Sequence, residues 1–299
     1  MTFSQNAGSG RRREGASLPR RRSPWISSFA MILPSLILLM IFYFYPMMKL
    51  LPQSVYEDHA FTLQYFQHIF SEPVYIKTLL RTIWLCLATT AINFILGYPV
   101  AYLLSIVKSK TAGAIMTIIL LSLWTSLLVR TYSWMVILQR TGVVNSFLLA
   151  LGIVSEPVQI MYTPAAVLIG MVHILLPYMI LPIYSVLRSI DKNLSLAAMS
   201  LGASRTKAFL RVTLPLSVPG IASGILLVFI QSLGFYVTPM LLGGAQTLVA
   251  SGLIDRQIFT FLDWSFGSAL GVILLLITVL FLGVFDRFFG MDSLQKRLV

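Results

Sequence analysis

Charged residues fall in clusters along this chain, and between the clusters lie six runs that carry none: 23–48, 82–107, 111–129, 157–187, 212–254 and 264–285. A helix that crosses a bilayer needs about 20 mostly apolar residues, because charge near the centre is costly. Five of the runs hold one such helix each. The run over 212–254 is long enough for two, but Pro215, Pro219, Gly243 and Gly244 break its ends, and a single helix from about residue 220 to about 240 is expected there. The stretch over 141–155 is too short to cross and carries Asn145 and Gly152, so it reads as an interfacial or external segment. The pattern predicts an all-α membrane protein with six transmembrane helices. Its expected divisions are a basic tail over 1–24, a first span over 25–50, an external loop over 51–74, a five-helix core over 75–287 and a second tail over 288–299.

Composition agrees with that pattern. Of 299 residues, 57% are hydrophobic and 11% charged, against about a quarter charged in soluble domains. The formal charge of +12 raises the question of nucleic acid, and its distribution answers it. With an even number of spans, Arg11, Arg12, Arg13, Arg20, Arg21, Arg22, Lys108, Lys110, Arg188, Lys192, Arg205, Lys207, Arg211, Arg287, Lys296 and Arg297 share one side. Lys49, Lys77, Arg81, Arg130, Arg140 and Arg256 lie towards the other. Basic residues collect on the cytoplasmic side, so both termini are expected there, and no nucleic-acid partner is implied.

The first 24 residues are rich in Arg, Ser, Gly and Pro, cannot bury enough surface to offset their ordering, and read as disordered. The apolar run after them is long and lacks a small-residue cleavage site, as in an uncleaved signal anchor. Cys86 is the only cysteine, so no disulfide forms within the chain, and it reads as a small apolar core residue. His59 and His68 fall in the external loop and His173 stands alone in the fourth span. No metal cluster, catalytic triad or cofactor is expected, and no Gly-x-x-x-x-Gly-Lys-Ser/Thr phosphate loop occurs. Small residues recur one turn apart at Gly97, Ala101 and Ser105, at Gly220 and Gly224, and at Gly267 and Gly271, which lets helices approach closely in lipid.

The polar stretch over 191–221 carries the strongest local signal. Asp191 can cap a short helix through Leu201, Gly202 suits the left-handed residue that ends it, and Ser204 can cap a second helix to Val212. Pro215 and Pro219 are expected to stop that helix and set the entry of span five. The residues Ala197-Ala198, Leu201-Gly202-Ala203-Ser204, Phe209, Val212, Leu214-Pro215-Leu216 and Pro219-Gly220-Ile221 resemble the EAA loop of the transmembrane subunits of binding-protein-dependent ABC importers.

That resemblance implies the type I importer permease fold in a bacterial inner membrane, with ATP hydrolysis on separate cytoplasmic subunits. It also implies a second homologous permease and a periplasmic solute-binding protein as partners. The ATPase-coupling residues would be Leu196, Ala197, Ala198, Gly202, Ala203, Phe209, Leu214, Pro215, Pro219 and Gly220. The family's acidic residue is replaced here by Leu196, and the common Asp before the Leu-Gly pair by Ser200. Residues 123–134, Gly97-Tyr98-Pro99-Val100-Ala101-Tyr102, Tyr236-Val237-Thr238-Pro239 and Leu242-Gly243-Gly244 resemble the polyamine branch, whose relatives move putrescine and spermidine; similar permeases serve amino-acid-like solutes.

For a cationic solute, the uncharged runs offer no carboxylate. The expected path therefore uses aromatic faces at Tyr132, Trp134 and Tyr236, with Arg130 beside them, and Glu156, Asp255 and Asp263 at the outer mouth. The same aromatic residues also fit interfacial anchors. A secondary transporter is the other transport class, and it would show ionisable residues in its spans or inverted repeats. A membrane enzyme would need clustered catalytic groups.

Overall fold

A computed structural model describes residues 24–57 and 60–289. The expected tails over 1–24 and 288–299 therefore fall outside the described residues, except for Pro24, Phe288 and Phe289, and so do Asp58 and His59. The chain divides into two units, one ending at Lys49 and the other beginning at Leu50.

Helix α1 (Pro24–Leu39) passes through a π-helical turn at Met40–Phe44 into α2 (Tyr45–Gln53), of which the residues up to Lys49 fall in the first unit. The Lys49 ammonium lies 4.8 Å from the centroid of the Tyr45 ring, one turn earlier. Residues Ile32–Gln53 have the length and hydropathy of a span.

After the end of α2, the second unit continues with a two-residue antiparallel pairing, Tyr56 opposite Phe61 and Glu57 opposite Ala60, and then α3 (Gln64–Ser71). Next come α4 (Pro73–Ile106), α5 (Ser109–Trp124), α6 (Leu127–Leu138), α7 (Val143–Ala150) and α8 (Pro164–Ser189). After these follow α9 (Lys192–Ser200), α10 (Arg205–Ala208), α11 (Leu214–Leu233), α12 (Ala250–Asp255) and α13 (Trp264–Phe289). Four stretches here qualify as single spans: Pro73–Ile106, Pro164–Ser189, Arg205–Leu233 and Trp264–Phe289.

The third span departs from expectation. It qualifies only as a pair, Ser109–Trp124 and Leu127–Ala150, bent by 98°. Thr125 is extended, and Ser126 at φ −54° and ψ 137° is also outside the helical region. The Thr125 hydroxyl donates to the carbonyl of Leu121 at 3.2 Å and so satisfies an acceptor that the broken ladder leaves open. Among the described residues, then, six spans are reached by counting the bent pair as one.

Span five also differs. Pro215 and Pro219 do not stop the preceding helix, because α10 runs into α11 through a π-helical turn at Phe209–Thr213. There the Leu214 amide reaches the Phe209 carbonyl, one residue further back than in an α-helix. The wider turn directly precedes Pro215, which has no amide to offer. The helix ends at Leu233 rather than near residue 240.

The core is built on α8, with α4 and α11 against it. A Cβ on Gly97 would come within 2.9 Å of the Met179 Cγ, and one on Gly220 within 2.9 Å of the Pro182 carbonyl. Gly267 is likewise closed in by Ile258, whereas Gly271 faces open space. Hydroxyl contacts tie the elements together: Tyr98 to Ser217 at 3.1 Å, Thr131 to Thr238 at 3.1 Å, and the Ala250 amide donating to Thr82 at 2.8 Å. Such polar contacts hold helices together where lipid gives no hydrophobic drive.

Candidate functional site

Two regions at opposite ends of α11 carry the candidate residues. At its N-terminal end stands the helix-turn-helix of α9 and α10. Asp191 accepts the Asn193 amide at 2.9 Å and starts α9. The helix closes with the Gly202 amide on the Met199 carbonyl and the Ala203 amide on the Ala198 carbonyl. This is the bond pair of a glycine-terminated helix end, and Gly202 has φ +91° as expected. Ser204 then accepts the Lys207 amide at 3.3 Å and starts α10.

This unit is presented outward and anchored inward. Leu201 at the turn is 90% exposed, and Leu196, Ala197, Arg205, Lys207 and Arg211 are exposed as well. Ala198, Ala203, Leu214 and Pro215 are half-buried, Pro219 is exposed and Gly220 is buried against α8. Phe209 turns inward, its ring 5.1 Å from that of Tyr102 and 6.1 Å from that of Tyr98. The Ser195 and Thr213 hydroxyls meet at 3.2 Å and lock α9 to the start of α11. Sequence reasoning missed that bond, since two hydroxyls 18 positions apart give no pattern.

Beyond the C-terminal end of α11, the structure brings Tyr236 and Asp255 together. The Tyr236 hydroxyl donates to the Asp255 carboxylate at 2.8 Å. That hydrogen bond, with burial and the carboxylate's charge behind it, raises the phenol above its usual value. Both residues line a cavity of about 300 Å³ together with Thr247, Leu248, Val249 and Arg256. Thr247 was not foreseen: it is fully buried, and its hydroxyl has no hydrogen-bond partner. A lone threonine in a polar loop carries no signal in the sequence.

The other candidates lie apart from this pair. Asp263 accepts the Phe266 amide at 2.9 Å at the start of α13 and lines a separate cavity of about 430 Å³ with Tyr65, His68, Tyr75, Gln257 and Phe266. Glu156 is exposed on the loop after α7. Buried Asn145 fastens that loop, donating to Val158 and Gln139 carbonyls and accepting the Val158 amide at 2.7 Å. Trp134 donates its indole N–H to Nδ1 of His173 at 3.2 Å, which gives the lone span histidine a partner. Arg130 keeps two buried guanidinium nitrogens without a partner. Tyr132 is exposed on α6.

A bundle of apolar helices with a polar helix-turn-helix at one end and a carboxylate-bearing cavity at the other defines a membrane transport component. The chain belongs to the family described as "Binding-protein-dependent transport system inner membrane component", which matches residues 17–291. It is 37% identical over 228 residues to the spermidine/putrescine transport system permease protein PotB of Escherichia coli, covering 76% of this chain and 82% of that one. The PotB protein of Haemophilus influenzae is 35% identical over 226 residues, with 76% and 79% covered. Among solved structures, a chain of a bacterial alginate ABC transporter in complex with alginate pentasaccharide-bound periplasmic protein superposes with a TM-score of 0.75. It is 22% identical and covers 90% of this chain and 95% of its own. That likeness shows the fold.

Proposed function

We propose that this chain is the permease subunit of an ATP-driven importer for a polyamine such as spermidine or putrescine. The observation that carries the substrate class is the 37% identity to a spermidine/putrescine permease along 82% of that protein. ATP is bound by partner subunits, since the sequence has no phosphate loop.

In the proposed cycle, a periplasmic binding protein delivers the solute at the mouth beyond α11, where Glu156, Asp255 and Asp263 draw cations. Closure of two ATPase subunits moves the α9–α10 unit, which is continuous with α11. A second permease completes the pore. Leu196, where relatives have an acid, and Leu201 supply apolar contacts to the ATPase, and Arg205, Lys207 and Arg211 supply charge. Trp134, Tyr236, Tyr132 and Arg130 line the way inward in this reading. The continuity of α10 with α11 supports coupling, because a rigid helix passes displacement without loss at a hinge.

The test is reconstitution with its ATPase, companion permease and binding protein, measuring ATP-dependent uptake of labelled spermidine and putrescine into proteoliposomes. Polyamine uptake dependent on both ATP and binding protein is expected. Solute-independent ATP hydrolysis with uptake of neither polyamine sinks the substrate reading.

A further inference from the structure

We propose that the cavity between the α4–α5 connection and the end of α8 binds the phosphodiester headgroup of an anionic phospholipid. It lies at the end of the bundle that carries the α9–α10 unit, and it is independent of which solute is carried.

The walls are those of an anion site. The cavity encloses about 290 Å³, with Ser105, Ser109, Tyr184, Arg188 and Lys192 as its polar lining, and no Asp or Glu is among the described residues that line it. Arg188 is held in place: its Nη1 donates to the Tyr184 hydroxyl at 3.3 Å, and the guanidinium lies 6.0 Å from the centroid of that ring. The bond leaves the tyrosine proton and the other guanidinium N–H groups for a ligand. Ser105 is already engaged, donating to the Tyr102 carbonyl at 2.7 Å. The nearby carboxylate of Asp191 accepts the Asn193 amide and lines a neighbouring cavity that Lys192 also borders. Among the described residues it forms no ion pair with Arg188 or Lys192. Two positive charges against one negative leave the site cationic, and Lys108 and Lys110, exposed beside Ser109, add to that.

A phosphodiester carries one negative charge on oxygens that only accept, which matches Arg188, Lys192, Tyr184 and Ser109 as donors. The surroundings select a lipid over a soluble phosphate. Helix α5 leads away from the cavity with Ile118, Leu121 and Trp124 exposed, while its Ile115, Met116 and Ile119 pack on the core. In a span those exposed side chains meet acyl chains, so a headgroup at Ser109 has its own tails along the same helix. Basic pockets between spans are places where anionic headgroups collect. Because Lys192 is the first residue of α9, a lipid held here ties the α4–α5 connection to the start of the proposed coupling element.

The test is native mass spectrometry of the transporter assembled with its ATPase and companion permease, titrated in detergent with phosphatidylglycerol and separately with phosphatidylcholine. Saturable retention of phosphatidylglycerol is expected for the wild type, and little of phosphatidylcholine. Arg188→Gln and Lys192→Gln should each weaken that retention about fivefold, as for one basic residue at an anionic lipid surface. Arg205→Gln combined with Lys207→Gln removes more charge from the same end of the bundle and should leave it intact. Assembly is checked by gel filtration; if neither single basic variant assembles, Ser109→Ala decides, with weaker retention expected from the loss of one donor. Unchanged retention in the assembled variants overturns the site. Equal weakening in the Arg205 and Lys207 variant reduces it to diffuse surface charge and overturns it as well. Displacement of the lipid by inorganic phosphate at a comparable concentration overturns the lipid in favour of a soluble ligand. Loss of the ATPase subunits from the Arg188 or Lys192 variant at unchanged lipid retention gives these residues to the ATPase contact and overturns the proposal.

Discussion

The ring of Phe209 meets the ring of Tyr102 edge-on, 5.1 Å between centroids and at 73°. Phe209 belongs to the π-turn that leads from α10 into α11, and Tyr102 to α4, so one side chain joins the proposed coupling element to two spans at once. Tyr98 completes the contact at 6.1 Å and holds Ser217 of α11 through its hydroxyl.

Each such aromatic pair is worth about 0.5–1.5 kcal/mol beyond its buried area, and Phe209→Ala removes two. Uptake should fall several-fold while basal ATPase activity of the assembled complex holds. Parallel assays of both rates in proteoliposomes check this; equal loss of both would point to misassembly instead of weakened coupling.

Gly202→Val should uncouple ATP hydrolysis from transport at normal expression. Nothing lies within 4 Å of a Cβ at Gly202, so the effect comes from backbone strain at φ +91°, of order 1–3 kcal/mol. Because the strain falls at the turn between α9 and α10, the presented face should shift without the bundle unfolding. Unchanged solute-stimulated ATPase and uptake would remove the idea.

Two glycines should behave oppositely as packing sites. A Cβ at Gly220 would meet the Pro182 carbonyl at 2.9 Å and the Ile183 Cα at 3.0 Å, and backbone cannot step aside, whereas Gly271 has nothing within 4 Å. Gly220→Val should lower the melting temperature in detergent by several degrees or abolish folding. Gly271→Ala should leave it unchanged or raise it by up to a few degrees, since a Cβ there meets nothing within 4 Å and alanine favours a helix over glycine by up to about 1 kcal/mol.

Orientation is testable with single cysteines in a Cys86→Ala background. A cysteine at Lys108 should be shielded from a membrane-impermeant thiol reagent in spheroplasts, and one at Gln246 should be labelled. The same logic extends to Thr2 and Leu298 inside and Asp58 outside. Labelling of the Lys108 position from outside defeats the assignment.

The Tyr236 phenol titrates above its usual value of 10.0, first because it donates a hydrogen bond to Asp255. A group that holds its proton more tightly when folded contributes stability that is complete below its unfolded value. That contribution is lost as pH rises through the raised one. The contact is thus intact at neutral pH. Asp255→Asn should bring the phenolate transition of this residue down towards its ordinary range, read as the absorbance difference between the protein and its Tyr236→Phe variant.

Much of the fold was legible because its signal is coarse. A run without charge, such as 264–285, announces a span whatever its details, and Asp191, Gly202 and Ser204 are residues whose local bonding options point to helix ends. The break in span three was hidden because Thr125 and Ser126 sit between equally apolar flanks and no proline marks the bend. Pro215 misled in the opposite direction: the rule that proline ends a helix was overridden by a π-turn just before it, which nothing in the composition of Phe209–Thr213 announces. At the candidate solute site, Tyr236 and Asp255 were both named from residue type, but their bond was not, because pairing across 19 positions of irregular chain depends on how the segment folds back. Thr247 was invisible for a simpler reason. A threonine whose buried hydroxyl lacks a partner looks like any other threonine in the sequence.

Met179 bears on two helices at once. Its side chain fills the place that a Cβ on Gly97 of α4 would take and, from the other side, its sulfur stands 2.7 Å from where a Cβ on Gly224 of α11 would be. Neither neighbour offers a tooth to catch on. An unbranched, polarizable thioether with three rotatable bonds, lodged between two smooth helix faces, behaves as a bearing. In the proposed cycle it would let α11 tilt about α8 when α10 is pushed, with α4 kept at its stand-off.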